Sequence, residues 1–427
     1  MRVLLTGANG FIGSQLTVGL LAAGYEVVAV VRDPGKFVRR FPNVRALKSD
    51  LNYWTTPEHW QDALAGVDAV VNCAGALHER KGQNLNAIHA LGPIALFKAA
   101  SANDVKKVIQ ISAVSTGADT EYARTKETAD IFLQNSSANW TILKPSIVYG
   151  HAAYGGTAML RALAACPFRI PVIGDGQQTA TPIHVNDLVE VVLLALQTQK
   201  LSRQIVIPCG PETITLSEMT KRYRLWLGLS EVPFFHIPIW LLRLFALVGD
   251  RFGSGPITTT SLKQLEHGNI ADSRRFSEVT GLSPRSFSKA LQMEPASTAE
   301  LWHARFYLLK PAIRTALIFL WGLSGMVGLL ASPQIIIPYF KVLELTPSMA
   351  ATIGHLASVM DLVIAAILLV GRWPKIIFYV QVTVVIAYTV FLTAVSPSLW
   401  LDLFGSLLKN IPILALIMCQ RILDEER

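Results

Sequence analysis

The sequence predicts two folds in series: an α/β doubly wound parallel sheet with a small substrate subdomain, then an all-α domain of four membrane-crossing helices. Three observations carry that prediction. An apolar strand near the start runs straight into three spaced glycines, strand-like and helix-like segments alternate through the first two-thirds, and the last third holds four long apolar runs. Composition agrees: hydrophobic residues make up 51% and charged residues 16%, with a positive mean hydropathy, which is rich for a chain that meets only water.

In RVLLTGANGFIG, Arg2 to Gly13, the residues Val3 to Leu5 read as a buried parallel strand and Phe11 to Leu21 carry apolar side chains at helical spacing. Gly7, Gly10 and Gly13 fall on the turn between them, spaced G-x-x-G-x-x-G rather than G-x-G-x-x-G. Glycine permits the tight turn and lets backbone N–H groups at the helix N-terminus approach a pyrophosphate. The ligand implied is a dinucleotide, held by Gly7, Asn9, Gly10, Phe11, Ile12 and Gly13. Glu26 to Val31 follow as a second strand at βαβ distance, ending at Val31 and followed by Arg32. An acidic residue there would accept from a ribose 2′-hydroxyl, whereas an arginine accommodates a 2′-phosphate, so the expectation is NADP rather than NAD. Asp33 stands beside it, and a shift of one residue would reverse that choice; Arg32 as a solvated surface charge is the other reading.

TGANGFIG resembles the glycine turn of the short-chain dehydrogenase/reductase superfamily. The likeness is to its extended and atypical branch, which includes sugar-nucleotide epimerases and the dehydrogenase-like accessory subunit of respiratory complex I. Further segments resemble the family in the expected order: Ser49-Asp50-Leu51 near the adenine, Val71-Asn72-Cys73-Ala74-Gly75 after the fourth strand, and Lys144 to Gly150 passing the nicotinamide. The resemblance implies a Rossmann domain over residues 1–298, with the substrate lobe mainly in 151–298. It implies cofactor contacts at Asp50, Leu51, Cys73, Ala74, Gly75, Pro145 and Ile147.

Tyr122 and Lys126 stand four apart in EYARTKETAD, so on a helix they share one face. A tyrosine has an unperturbed pKa of about 10, and a neighbouring ammonium with an oxidised nicotinamide favours its phenolate. Such a group passes a proton to or from a substrate hydroxyl while hydride moves. Both residues are expected to touch the cofactor as well, the family placing the lysine at the nicotinamide ribose. The resemblance also supplies a hydroxyl that polarises the substrate oxygen, here Ser112 after the strand Val108 to Ile111, with Ser115 or Thr116 in reserve. The interval from Ser112 to Tyr122 is shorter than in the sugar-nucleotide epimerases and lacks their tyrosine-containing turn after the serine, which resembles the complex I branch and weighs against epimerase or dehydratase chemistry; His89 before Gly92, where the extended enzymes show asparagine, is another departure. His89 reads as a packed or hydrogen-bonded residue rather than a base.

Beyond Gly150, the segment Val172 to Val191 resembles the family motif closing one side of the substrate pocket. There His184 and Asp187 serve either substrate or packing. Phe234 to Val248, with Trp240 and Arg243, is too short to span and suits a pocket lid or an interfacial helix. Cys73, Cys166, Cys209 and Cys419 lack C-x-x-C spacing and read as reduced core residues; no metal site is expected.

A linker over 299–309 is expected to lead to a membrane domain over 310–427, with spans Ala312 to Ala331, Ala350 to Val370, Ile376 to Val395 and Leu399 to Cys419. Arg305, Lys310 and Arg314 precede the first, Arg372 and Lys375 separate the second from the third, and Arg421 follows the fourth, whereas the opposite connections hold only Lys341. The positive-inside rule then places both termini and the nucleotide domain in the cytoplasm of a multi-pass inner-membrane protein. No cleavable signal peptide is expected. The net charge of +8 is met by juxtamembrane lipid and requires no nucleic acid. In size, span count and context the module resembles the DoxX-like membrane family. His355, Asp361, Lys409 and Asn410 fall at membrane depth, as a ligand site or as inter-helix pairs such as Lys409 with Asp361.

The function these readings imply is hydride transfer on a hydrophobic carbonyl, alcohol or quinone-like substrate by a bilayer-anchored enzyme, with no protein partner named. Redox-neutral epimerisation or dehydration of a nucleotide sugar, and a non-catalytic NADPH-binding assembly or sensing module, are the alternatives.

Overall fold

The computed structural model describes residues 1–425 apart from 78, 80, 81, 115–117, 153–154, 253–257, 372–373 and 404. Contacts divide the chain into Met1–Ala304 and Arg305–Arg427.

The first unit opens with β1 (Arg2–Thr6), α1 (Phe11–Ala22), β2 (Glu26–Val31), α2 (Pro34–Arg40), β3 (Arg45–Lys48), α3 (Gln61–Leu64) and β4 (Ala69–Asn72). A π-helical turn, Ala87–Leu91, leads into α4 (Gly92–Ala102), followed by β5 (Lys107–Ile111), α5 (Glu121–Gln134) and β6 (Trp140–Leu143). Next come β7 (Val148–Tyr149), α6 (Gly155–Ala164), β8 (Ile170–Ile173), β9 (Thr179–Ala180), β10 (Ile183–His184), α7 (Val185–Gln197) and β11 (Gln204–Val206). The unit continues through β12 (Ile214–Thr215), α8 (Leu216–Trp226), β13 (Phe234–Ile237), α9 (Ile239–Phe252), α10 (Thr259–His267), α11 (Ser273–Thr280) and α12 (Phe287–Met293).

Seven of these strands make one parallel sheet in the order β11-β6-β5-β4-β1-β2-β3. Alternate residues of β1 face opposite sides: Val3 and Leu5 join the core beneath α1 and α7 with Leu16, Leu20, Leu188 and Val192. Leu4 joins the core beneath α4 and α5 with Leu96, Ala100 and Leu133. Both faces are covered, which is why the strands read as unbroken apolar runs. The order reverses between β1 and β4, and the crevice at the carboxyl ends of these two strands is where such sheets bind ligands. The substrate lobe has its own core around Tyr149, Tyr223 and Phe287.

The second unit is helical. It contains most of α13 (Thr298–Leu330), then α14 (Pro333–Ile336), α15 (Pro347–Val370), α16 (Pro374–Val395) and α17 (Asn410–Leu423). The stretch 299–309, expected as a linker, is instead the start of α13. Ser297 and Glu300 explain it: the Ser297 N–H donates to Glu300 Oε2 at 2.8 Å, the reciprocal half of a helix-starting capping box.

Among the described residues, three helices are long and apolar enough to cross a membrane: Thr298–Leu330, Pro347–Val370 and Lys375–Val395. The fourth expected span, Leu399 to Cys419, is corrected by the structure. A short 3₁₀ turn covers Pro397–Trp400, and helix resumes only at Asn410. Gly405 takes φ +61, a left-handed conformation that ends helical winding, and Pro412 fits only within a first turn. The 14 residues of α17 extend about 21 Å, short of the roughly 30 Å hydrocarbon core. Even so, Lys310 Nζ donates to the Leu423 carbonyl at 2.6 Å, and Arg314 Nε to that of Leu368 at 2.9 Å. The end of α17 therefore returns to the end of the bundle where α15 finishes.

Close contact fastens α13 to α15. A Cβ on Gly325 would lie 2.6 Å from the Ser358 carbonyl, and one on Gly328 would lie 2.1 Å from Ser358 Oγ. Of the two readings of the polar residues in this unit, inter-helix pairing is the one observed, with different partners. Asp361 accepts from Ser324 Oγ at 3.1 Å and Tyr388 OH at 3.0 Å, while Lys409 is exposed just before α17. Asn410 Nδ2 donates to Thr389 Oγ1 at 2.8 Å, and His355 Nε2 lies 3.4 Å from the Ala331 carbonyl. Arg372, one of the basic residues of the orientation pattern, lies outside the described residues. All four cysteines are free; Cys209 is buried, but Cys73 and Cys166 are half-buried and Cys419 is exposed, contrary to a core role for each.

Candidate active site

The glycine turn is built as its sequence requires. Gly7 sits at φ +66, where a Cβ would lie 2.8 Å from the Cys73 carbonyl; a Cβ on Gly13 would lie 2.1 Å from the Gly7 carbonyl. Helix α1 therefore packs directly on its own turn, and the turn on the segment after β4. Gly10 is the N-cap of α1 in extended conformation, with no side-chain cap and no acidic residue in the first turn. A 12-residue helix that leaves its first N–H groups and positive dipole end unmet fits the pyrophosphate of a dinucleotide. Asn9 is exposed on the turn, and Phe11 and Ile12 are half-buried at the helix start.

Thr6 at the end of β1 ties the crevice together. Its hydroxyl bonds to Asn72 Oδ1 and accepts from the backbone N–H of Cys73 and Ala74 at 3.2 and 3.3 Å. Asn72 Nδ2 donates onward to Gln110 Oε1 at 2.6 Å. Three neighbouring strand ends are thus locked by a buried polar chain of which the sequence reading had noted only Asn72, within a quoted segment. Pro145 is buried and its carbonyl accepts from Val114 N–H at 3.2 Å, so the segment after β6 joins the same sheet edge; Ile147 is half-buried there.

Tyr122 and Lys126 lie on α5, capped by Thr120, whose hydroxyl accepts from Ala123 N–H at 3.1 Å. Lys126 is buried, its Nζ donating to the Ile111 carbonyl at 3.0 Å and lying 3.4 Å from where a Gly75 Cβ would be. His89, in the π-helical turn, also faces Gly75. Its Nε2 accepts from Ala76 N–H at 2.9 Å, leaving Nδ1 to donate to Thr125 Oγ1 at 3.1 Å, and its ring meets Tyr122 edge to face at 5.3 Å. Burial, with the Lys126 charge beside it, holds His89 down to about 2, so it is neutral. That is the packed, hydrogen-bonded histidine the sequence suggested.

The phenol of Tyr122 is pushed up to about 12, by burial first and then by the Asp130 charge. Ser112, expected to polarise the substrate oxygen, donates its one proton to Asp130 Oδ2 at 2.7 Å inside the core. The reserve candidates Ser115 and Thr116 lie outside the described residues.

Asp130 is the residue the sequence reading missed. It is fully buried, receives Lys144 Nζ at 3.3 Å as well as Ser112, and keeps Oδ1 without a partner. Burial pushes its carboxyl up while Ser112, Lys144 and Lys126 pull it back, with a net rise. Burial lowers Lys126, and Asp130 and Cys73 oppose that. The available signal was spacing, since Asp130 stands one further turn along α5 from Lys126.

Arg32 is exposed in the bend after β2, while Asp33 caps α2, its Oδ1 accepting from Lys36 N–H at 3.0 Å. Asp50 is half-buried and accepts from Asn52 N–H at 3.0 Å and Nδ2 at 2.6 Å; Leu51 is half-buried beside it. In the substrate lobe His184 caps α7 and faces Glu294 at 3.5 Å, and Asp187 binds Arg285 at 2.8 Å. Both therefore pin the segment around α12, which is the packing reading of that motif.

Residues 7–162 match the NAD(P)H-binding family, and residues 318–418 match the DoxX-like family. Among curated proteins, UDP-glucose 4-epimerase of Vibrio cholerae is 24% identical over 285 residues, 60% of this chain and 83% of that protein. The mitochondrial NADH dehydrogenase [ubiquinone] 1 alpha subcomplex subunit 9 of Dictyostelium discoideum is 26% identical over 50% of this chain and 60% of its own length. Ceramide reductase of Caulobacter vibrioides is 26% identical over 43% and 57% respectively, so the chain spans little more than half of these last two. UDP-glucuronic acid 4-epimerase from Bacillus cereus, solved with UDP-glucuronic acid and NAD, superposes with a TM-score of 0.54 at 20% identity over 72% of this chain and 99% of its own. The first unit thus matches the NAD(P)H-binding family over residues 7–162 and shares the fold of the solved epimerase, and the second unit matches the DoxX-like family over residues 318–418.

Proposed function

We propose that this protein is a membrane-anchored, NADP-dependent oxidoreductase that transfers hydride to or from a hydrophobic carbonyl, alcohol or quinone-like substrate. The observation that carries the reading is the convergence of Lys126, His89 and Gly75 at the β1–β4 crevice, with the Tyr122 ring edge to face against His89. The nicotinamide, when bound, supplies or accepts the hydride. In the reducing direction Tyr122 gives its phenolic proton to the substrate oxygen as the carbon gains hydride, and regains a proton from water. Lys126 holds the nicotinamide ribose and stabilises the phenolate left behind, with Asp130 favouring its charged form. Neutral His89 fixes the Tyr122 ring and the Ala76 backbone without competing for the proton.

Arg32 supports NADP, because the neighbouring carboxylate of Asp33 is committed to its helix cap. The DoxX-like domain and the likeness to a ceramide reductase support a lipid-borne substrate. Arg305, Lys310, Arg314 and Lys375 support a cytoplasmic nucleotide domain, and the return of α17 toward Lys310 supports both termini on that side. A second reading, redox-neutral epimerisation of a nucleotide sugar, draws on the match along 83% of a UDP-glucose 4-epimerase.

Hydride tracing separates them. The purified full-length protein is incubated with NADPH deuterated at the transferable position and a total lipid extract, and products are searched by mass spectrometry. Wild type is expected to label a lipid, and Tyr122→Phe to lose about 10²- to 10⁴-fold in rate with NADPH still bound. Bound NADPH without transfer would overturn the lipid reading, and a co-purifying nucleotide that never exchanges would favour epimerisation.

A further inference from the structure

Helix α9 takes no part in the site described above. Its inner face, Leu242 and Ala246, packs on Leu262, Ile173 and Ile237. Its outer face is apolar too: Trp240 is 68% exposed, Leu244 54% and Leu247 61%, at the four- and three-residue spacing of one helix face. The patch continues onto the sheet edge beside it. Phe235 at the start of β13 is 52% exposed, and β13 pairs in parallel with β8, which begins just after Phe168. At 84%, Phe168 is the most exposed aromatic side chain among the described residues. The charges interspersed here are basic: Arg169 and Arg243 are exposed, and the sequence places no acidic residue from Pro167 to Gly174 or from Phe234 to Gly249.

We propose that this face docks on the headgroup layer of an anionic bilayer, with α9 lying in the membrane plane. Trp240, Leu244, Leu247, Phe168 and Phe235 enter the acyl boundary, while Arg169 and Arg243 meet lipid phosphate. Three observations select a bilayer as the occupant. The described residues of the same chain include three helices long and apolar enough to cross a membrane, so the tethered patch meets lipid at high effective concentration. The sign of its charge complements anionic lipid. At 14 residues α9 is too short to span yet long enough to lie in the interface. The further consequence, which rests on the proposed function, is that the substrate lobe is held where a lipid-borne carbonyl can enter it.

Photo-crosslinking tests the docking without requiring activity. Full-length protein with Trp240→p-benzoylphenylalanine or Leu247→p-benzoylphenylalanine is reconstituted in mixed phosphatidylcholine and phosphatidylglycerol vesicles, with Tyr53→p-benzoylphenylalanine as an exposed control remote in sequence. Lipid adducts at 240 and 247, absent at 53 and diminished in phosphatidylcholine alone, are the expected result. Absence of adducts at both test positions overturns the proposal, as does crosslinking to a second copy of the chain or a yield indifferent to phosphatidylglycerol. Because no turnover is measured, a failed hydride-transfer experiment and a failed docking experiment remain distinct.

Discussion

Each unit of this protein buries a carboxylate, and the two are partnered in opposite ways. Asp130 lies beside two lysines, with Lys144 at 3.3 Å and the charge of Lys126 acting on it, and takes one hydroxyl, that of Ser112. Asp361 is met by two hydroxyls, Ser324 and Tyr388, from the helices on either side. Around Asp130, opposite charges gather, and each depends on the others to stay buried. Around Asp361, neutral donors join α13, α15 and α16, a fastening in which no single partner is indispensable.

Removing the carboxylate from the first cluster is the strongest way to break this contrast. Asp130→Ala removes the counter-charge beside buried Lys126 and half-buried Lys144 and is expected to destabilise the first unit by about 3–5 kcal/mol, read as lowered thermal stability and loss of NAD(P)H binding. In the second unit packing is expected to outweigh polar pairing. Gly325→Leu must displace the Ser358 backbone, because even a Cβ would lie 2.6 Å from its carbonyl. Such overpacking costs about 1–3 kcal/mol, seen as a lowered unfolding midpoint in detergent with NAD(P)H affinity unchanged.

A pH titration sharpens the comparison on the side of the first unit. His89 is held down to about 2 when folded, far below its unfolded value of about 6.5. Between those values the unfolded chain binds the extra proton, so the His89 contribution is complete above pH 6.5 and is lost as pH falls. The slope from this one group is at most about 1.4 kcal/mol per pH unit. His89→Gln should flatten the decline in melting temperature between pH 6.5 and 5, and an unchanged slope would show that His89 is not the buried neutral group described. The smallest effect is expected for Asp361→Asn. The amide can still accept from one of its two hydroxyls, so the cost is about that of one inter-helix hydrogen bond, about 0.6 kcal/mol. A loss as large as that of Asp130→Ala would erase the distinction between the two carboxylates.

Much of this protein follows from local chemistry. The tight turn of Gly7, Gly10 and Gly13, the parallel strands on either side of α1, the helix that carries Tyr122 and Lys126, and, among the described residues, three helices long and apolar enough to cross a membrane are set by dihedral demands and apolar periodicity, which act within a few residues. Even the departures have local causes legible afterwards. Ser297 and Glu300 start α13 early, and Gly405 and Pro412 shorten the last helix. What the tertiary structure alone decided is how long-range partners are chosen. Ser112 faces Asp130 rather than the cleft, Thr6 joins Asn72 and Gln110 across three strands, and Asp361 finds Tyr388 rather than Lys409. A side chain's hydrogen-bond capacity is written in its residue type, but the partner that satisfies it is whichever group folding brings within about 3 Å, and for these residues that group comes from another element of the chain.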